Sequence, residues 1–239
     1  MCLKKGIGMG ILVMGHRGAA GIEPENTMRS FQKAVDLGVD WIEMDVHLTR
    51  DGHLVIIHDD RLDRTTNGRG LVREMTLEEV RKLDAGKGER IPVLEEVLVA
   101  FRNKKPRMQV ELKAEGTPEP VVRLLERMGL AEQVRLTCGN LGRIREAKRL
   151  NPKVETGAIF GKPTPDCCDQ TQAAGAVALG IEYHSMNAGW VAKAHALGLQ
   201  VTPWNPDSPE DLKAMIALNP DRICTNRPDI LLRLLGRLP

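Results

Sequence analysis

The 239-residue chain has few aromatic side chains, with three Trp, one Tyr and three Phe. It also lacks an excess of charge of either sign, because 34 basic and 32 acidic residues leave a net charge of +2. Nucleic-acid-binding proteins carry a basic surface or a set of stacking aromatic side chains, and this composition offers neither. The sequence therefore predicts a protein without a nucleic-acid partner.

Long apolar runs and paired cysteines are also missing. No run approaches the roughly 20 apolar residues that a membrane span requires, and the four apolar residues Ile11–Met14 are too few for a signal-peptide core. The five cysteines are scattered, with no second thiol two residues from any of them, which predicts free thiols in a reducing compartment. We expect a cytoplasmic protein without stable membrane association. The sequence leaves open whether it forms a homo-oligomer.

What the chain does contain is a repeated alternation of short apolar runs with helical patterns. The candidate strands are Ile11–Gly15, Trp41–Val46, Met108–Lys113, Gln133–Cys138, Val154–Phe160, Ala176–Glu182, Leu199–Trp204 and Arg222–Thr225. The helical patterns are Thr27–Leu37, Pro92–Phe101, Pro118–Met128, Leu141–Leu150, Ala188–Leu197, Pro209–Leu218 and Pro228–Leu235. Eight strands that alternate with helices predict an α/β fold, a (β/α)8 TIM barrel. A doubly wound open sheet is the alternative, disfavoured because no Gly-x-Gly-x-x-Gly follows the first strand.

Residues 47–92 interrupt this alternation. Asp51-Gly52 between two extended runs indicates a β-hairpin, and Thr76 with Glu79 forms the capping box of a short helix. The arginines of this stretch are balanced by acidic residues, which is typical of a solvated lid. We therefore expect one barrel domain over residues 1–239, with a small hairpin-plus-helix insertion after the second strand at about 47–92.

Polar residues lie at the carboxyl ends of the first three barrel strands, where a TIM barrel builds its active site. The first strand leads into His16-Arg17-Gly18, the second carries Glu43 and Asp45, and the third carries Glu111 and Lys113. The i, i+2 spacing puts both members of each pair on one face of their strand. Three carboxylates at one mouth repel each other unless a cation binds them. A hard divalent ion, Mg²⁺ or Ca²⁺, prefers such oxygen ligands.

The hairpin is expected to return a second histidine to this mouth. A two-residue turn at Asp51-Gly52 would place His58 directly opposite Asp45. His47 and His53 would then be surface residues of the hairpin. His16 and His58 would supply a base and an acid at the same place.

Together these motifs resemble the glycerophosphodiester phosphodiesterase family over nearly the whole chain. The resemblance is carried by His16-Arg17-Gly18, Pro24-Glu25-Asn26-Thr27, Phe31, Ala34, Gly38, Glu43-x-Asp45, Thr49-x-Asp51-Gly52, His58-Asp59, Leu62, Arg64, Thr65 and Glu111-Leu112-Lys113. It continues more weakly in Trp204 and Arg222–Thr225. It implies a TIM barrel with a small insertion after the second strand, and hydrolysis of glycerophosphodiesters to glycerol 3-phosphate and an alcohol.

The resemblance also implies a role for each residue of the set. The metal ligands would be Glu43, Asp45 and Glu111, the acid and base His16 and His58, and the phosphate contacts Arg17 and Lys113. Asn26 would contact the metal or phosphate, or else cap the first helix. Trp204 would form an apolar wall for the glycerol. We take His16 as the base and His58 as the acid.

Three positions depart from the family pattern. They are Thr137-Cys138, Asn205-Pro206 and the Asn226 that follows Thr225. We expect them on the substrate side, where they would alter specificity more than the chemistry. The alternative functions are a lysophospholipase D-like phosphodiesterase acting on lipid headgroups, a metal-dependent barrel lyase or isomerase, and a catalytically inactive ligand-binding barrel.

Overall fold

The structure, a computed structural model, describes residues 10–238. The described residues do not include 1–9, which contain Cys2 and the start of the N-terminal stretch considered as a signal peptide. The strands are β1 (Leu12–Gly15), β2 (Trp41–Leu48), β3 (Leu54–Ile56), β4 (Arg107–Leu112), β5 (Val134–Cys138), β6 (Glu155–Phe160), β7 (Ala178–Glu182), β8 (Gln200–Trp204) and β9 (Arg222–Thr225). The predicted strands agree with these bounds to within two residues at each end.

The strands other than β3 form a closed parallel barrel. Their order around the ring is β1-β9-β8-β7-β6-β5-β4-β2, and β1 closes the ring by pairing with β2. The predicted (β/α)8 barrel is confirmed, and the open doubly wound sheet is wrong. Because all barrel strands run in one direction, their carboxyl ends meet at one mouth.

The helices surround this barrel. They are α1 (Met28–Leu37), α2 (Leu77–Val80), α3 (Leu94–Phe101), α4 (Pro118–Met128), α5 (Leu141–Leu150), α6 (Cys167–Ala173), α7 (Ala188–Ala196), α8 (Pro209–Ala217) and α9 (Pro228–Leu234). Helix α6 was not predicted, because its buried face consists of two cysteines and a threonine and so gives no clear apolar period. None of the described helices combines the length and the apolarity that crossing a membrane requires.

The hairpin after β2 differs from the prediction by one residue of register. Val46 pairs with Ile56 and Leu48 with Leu54, so Asp45 bonds to Ile57 rather than standing opposite His58. The connection is a three-residue loop, 50–52, in which Gly52 adopts a φ of 81° and its N–H donates to the Thr49 carbonyl. A type I turn followed by a left-handed glycine needs this third residue, which shifts every cross-strand partner by one.

The segment that follows the hairpin packs on a small core of its own. This cluster consists of Val55, Ile57, Leu62, Val72, Val80, Ala85 and Ile91. The predicted capping box at the start of α2 is present, with Thr76 and Glu79 bonded reciprocally. A larger apolar core joins the barrel strands to the surrounding helices, and in it Phe31 of α1 meets Phe101 of α3 edge to face. The segment therefore has an apolar core separate from that of the barrel.

Candidate active site

Three carboxylates from adjacent strands converge at the barrel mouth. Register pairs Asp45 of β2 with Glu111 of β4, and Glu43 lies one step deeper on the same face. Their ligand oxygens all lie within 4.8 Å of one another. Burial, and then the neighbouring Asp45 and Glu111 charges, raise the pKa of Glu43 well above its usual value. These three carboxylates could hold a metal ion, which would offset their mutual repulsion.

The carboxylates are oriented by groups from the loop after β1. Asn26, itself buried, donates from Nδ2 to Asp45 Oδ2 at 2.9 Å. The Arg17 backbone N–H donates to Glu43 Oε2 at 2.9 Å. The remaining oxygens, Glu43 Oε1 and Asp45 Oδ1, are buried without a hydrogen-bond partner among the described residues. Helix α1 is capped by Thr27, so the alternative that Asn26 caps it is wrong.

Two cations of the predicted set stand beside the carboxylates. Arg17 Nε lies 3.3 Å from Asp45 Oδ2, and its Nη1 bonds Glu25 at 2.7 Å. Lys113 Nζ lies 3.1 Å from Glu111 Oε1 and 3.9 Å from Asp45 Oδ1. Burial would lower the pKa of Lys113, but the Glu111 and Asp45 charges outweigh it and raise that pKa. Both side chains line the cavity and remain charged there.

The hydrogen bonds of His16 fix its tautomer. Its Nδ1 lies 2.7 Å from Asn226 Oδ1, and Asn226 in turn donates from Nδ2 to Asp207 Oδ2 at 2.6 Å and from its backbone N–H to Asp207 Oδ1 at 2.8 Å. Because the Asn226 amide nitrogen is committed to Asp207, its oxygen faces His16 and accepts the Nδ1 proton. The lone pair of His16 is therefore on Nε2, which faces the cavity. Burial, and then the neighbouring Arg17 charge, lower the pKa of His16 to about 4.

The second histidine reaches the mouth despite the shifted hairpin register. His58 Nδ1 bonds Asp59 Oδ1 at 2.6 Å, and His58 Nε2 lies 3.2 Å from Lys113 Nζ. Arg64 then holds Asp59 through a 2.7 Å bond from Nε and also bonds Glu25. This arginine of the insertion is therefore part of the site's support rather than only a solvated lid residue.

The expectation that His47 is a surface residue is wrong. Its side chain is 6% exposed, and its Nε2 lies 3.0 Å from the His58 carbonyl oxygen. His47 lies two residues after Asp45 on β2 and therefore on the same strand face as Glu43 and Asp45, so the spacing along β2 was the signal that could have found it. His53, at the hairpin loop, is exposed as expected.

The cavity extends from these residues down the inside of the barrel, with a volume of about 130 Å³. Trp204 lines one side, and its role as an apolar wall for the glycerol stays a prediction. Among the lining residues that were not predicted as part of the site are Gln109, Thr202, Arg222 and Cys224. Each lies two residues from another cavity-lining residue on its strand. The alternation of strand side chains was therefore the signal that could have found them.

Two of the three departures from the family pattern lie against His16. Asn226 accepts its Nδ1 proton, and Asn205 Nδ2 stands 3.4 Å from its Nε2. Asn205 also lines the cavity, as expected for the substrate side, whereas Asn226 does not. Thr137 does line the cavity, whereas the Cys138 thiol is buried and bonds the Leu112 carbonyl.

Known proteins with similar sequences and structures point in one direction. The model of the glycerophosphoryl diester phosphodiesterase family matches residues 16–230. The glycerophosphodiester phosphodiesterase of Caldanaerobacter subterraneus subsp. tengcongensis is 35% identical over 241 residues, covering 96% of this chain and 99% of that protein.

Solved structures agree with this match. An Oleispira antarctica phosphodiesterase, in complex with the product sn-glycerol-3-phosphate, superposes with a TM-score of 0.88 at 27% identity, covering 94% of this chain and 96% of the other. A glycerophosphodiester phosphodiesterase from Parabacteroides distasonis gives a TM-score of 0.83 at 29% identity, covering 95% and 97%. The family model matches most of the chain, and the Caldanaerobacter relative is more than 30% identical over nearly the full length of both proteins. This chain belongs to the glycerophosphoryl diester phosphodiesterase family.

Proposed function

We propose that this protein hydrolyses glycerophosphodiesters to glycerol 3-phosphate and an alcohol, with a divalent ion at the three carboxylates and acid–base catalysis by His16 and His58. The observation that carries the proposal is the placement of two differently partnered histidines on either side of one carboxylate cluster in a phosphodiesterase-family barrel. The Oleispira antarctica phosphodiesterase is in complex with the product sn-glycerol-3-phosphate, which supports glycerol 3-phosphate as the product here.

Glu43, Asp45 and Glu111 fit the metal. Two of their buried oxygens have no hydrogen-bond partner in the described part of the chain, and an oxygen-only donor set suits Mg²⁺ or Ca²⁺. A bound divalent ion supplies positive charge against the phosphoryl oxygens. Arg17 and Lys113 add positive charge from the protein itself, and both orient the phosphate.

His16 is the base in this proposal. Its Nδ1 proton is held by Asn226, so the Nε2 lone pair is the group available to take a proton from the nucleophile. The nucleophile is water or, by way of a cyclic phosphate, the 2-hydroxyl of the glycerol. Asp207 fixes Asn226 and therefore fixes the orientation of the imidazole.

His58 is the acid. The Asp59 carboxylate at Nδ1 stabilises the positive charge that His58 carries when it is protonated. A phosphate that draws Lys113 Nζ towards itself frees His58 Nε2 to hold a proton for the leaving alkoxide. Arg64 keeps Asp59 in place for this task.

The location and the wider substrate range stay predictions from the sequence. The four described cysteines are buried free thiols, which supports a reducing compartment such as the cytoplasm. A single domain with an insertion at about 47–92 also stays a proposal, as does a homo-oligomer. Action on lipid headgroups is tested by adding lysophospholipids to the assay below.

The test is release of glycerol 3-phosphate from a panel of glycerophosphodiesters with choline, ethanolamine and glycerol headgroups. Mg²⁺, Ca²⁺ and a chelator are compared in parallel. We expect metal-dependent release, and a loss of at least about 100-fold in kcat for both His16→Ala and His58→Ala. His53→Ala, which changes an exposed hairpin histidine, is the control and keeps activity. No release from any diester refutes the function, and full activity in His58→Ala refutes the two-histidine mechanism.

A further inference from the structure

The floor of the catalytic cavity holds a buried arginine that the reaction above does not use. Arg222 of β9 is 2% exposed and lines the cavity. Its guanidinium carbon lies 4.2 Å from the Trp41 ring centroid, and its Nε donates to Thr202 Oγ1 at 3.3 Å. Its Nη1 is buried and has no hydrogen-bond partner within residues 10–238.

The charge around Arg222 is unbalanced. Arg107 and Arg135 also stand against Trp41, and Glu155 bonds both of them, at 3.1 and 3.0 Å. No carboxylate in the described part of the chain forms an ion pair with Arg222. Burial, and then the Arg135 charge, lower its pKa well below the usual value. A buried guanidinium without an anion is costly, and an anionic ligand group would remove that cost.

The floor lies within reach of a substrate bound at the carboxylates. Trp41, on which Arg222 stacks, precedes the metal-ligand candidate Glu43 by two residues of β2, a rise of about 7 Å. The cavity is also lined by small residues, including Gly157, Ala178 and Gly180, which leave room for a ligand. A three-carbon arm that points down the barrel from a phosphate at the mouth is directed along this cavity towards Arg222.

We propose that Arg222, seated on Trp41, forms an anion subsite at the cavity floor, and that it accepts phosphodiesters whose buried three-carbon arm ends in a carboxylate. The substrate class is therefore the diesters of phosphoglycerate, in addition to those of glycerol phosphate. The inference rests on the proposed function. The bonds that change are the same: an oxygen–phosphorus bond forms from water, the bond to the headgroup oxygen breaks, and the headgroup alkoxide takes a proton. The product becomes 3-phosphoglycerate.

Competitive inhibition by the two products tests the subsite. The inhibition constants of glycerol 3-phosphate and 3-phosphoglycerate are measured against glycerophosphocholine hydrolysis, with divalent ion in excess of both ligands. For the wild type, we expect 3-phosphoglycerate to bind at least about 10-fold more tightly, as a charge-assisted hydrogen bond would give. In Arg222→Gln we expect the ratio of the two constants to fall to within about 2-fold of one.

Arg107→Gln is the matched control, because it removes a guanidinium from the same tryptophan without changing the cavity lining. It should keep the wild-type ratio. Titration calorimetry of both ligands with Arg222→Met gives a second measure that needs no turnover. Equal binding of the two products by the wild type, or a preference for 3-phosphoglycerate that survives in Arg222→Gln, overturns the subsite. Wild-type enzyme that hydrolyses no glycerophosphodiester refutes the proposed function instead, so the two failures are distinguishable.

Discussion

Replacing Asn226 with leucine tests whether His16 is a base in a fixed tautomer. The change removes the oxygen that accepts the His16 Nδ1 proton at 2.7 Å and leaves both that N–H and the Asp207 carboxylate without this partner. A buried polar group that loses its hydrogen bond costs about 1–3 kcal/mol. If the cost falls on the transition state, kcat drops by about 5- to 150-fold. KM should change by less than about 2-fold, because Asn226 does not line the cavity.

The assay is steady-state hydrolysis of glycerophosphocholine over a range of pH. Asn226→Asp keeps an acceptor at Nδ1 but replaces the amide donor to Asp207 Oδ2 with a second carboxylate, and the added negative charge raises the pKa of His16. Its acidic limb of kcat/KM should therefore move to higher pH, and its loss at alkaline pH should be smaller than that of Asn226→Leu. A purely structural role for Asn226 would not shift the pH profile. Asn151→Leu, at the far end of α5, is the control. Wild-type kcat in Asn226→Leu would refute the positioning of His16 by this residue.

Three further outcomes follow from the structure. Glu43→Gln should weaken Mg²⁺ or Ca²⁺ binding by at least about 100-fold in titration calorimetry, because losing a residue that merely hydrogen-bonds to a metal ligand already lowers metal affinity by about 10- to 100-fold. Unchanged binding would exclude Glu43 as a ligand. Asp59→Asn should lower kcat about 10-fold on glycerophosphocholine but leave kcat nearly unchanged on a nitrophenyl phosphodiester, whose leaving group needs no proton. Equal losses of kcat on both substrates would contradict His58 as the acid. Gly18→Ala would place its new Cβ 2.5 Å from the Ser30 backbone and should lower the free energy of unfolding by at least about 3 kcal/mol in chemical denaturation. The new Cβ of Gly52→Ala meets no atom, so this control should lose only about 1–2 kcal/mol to backbone strain, and equal losses would contradict the close approach at Gly18.

Strands and site residues could be predicted from the sequence where both the residue types and their spacing along the chain were characteristic of one structure. The barrel strands combine apolar runs with flanking helical periods, so their bounds were predictable to within two residues. Glu43 and Asp45, spaced i, i+2 on one strand, could be placed on one face from spacing alone. Convergence with Glu111 followed from the barrel, because parallel strands end at one mouth.

Features that depend on loop geometry or on distant partners were not predictable in this way. Asp51-Gly52 fits either a two-residue or a three-residue turn, and the choice decides whether Ile57 or His58 stands opposite Asp45. Helix α6 buries Cys167 and Cys168, whose hydropathy pattern does not distinguish a helix from a loop. Asn226 contacts His16 only because β9 lies next to β1, and no local pattern carries that information.

Closure of the barrel has a consequence for how the enzyme is made. His16 and Asn226 are separated by 210 positions, nearly the full length of the chain, and β9 is the last strand to be synthesised. Until β9 inserts beside β1, the ring is open and the imidazole has no partner at Nδ1. A contact between such distant segments forms late, because its loop-closure entropy must be offset first. The proposed base therefore becomes competent only when the ring closes, and recovery of turnover during refolding reports closure of the barrel rather than formation of its individual βα units.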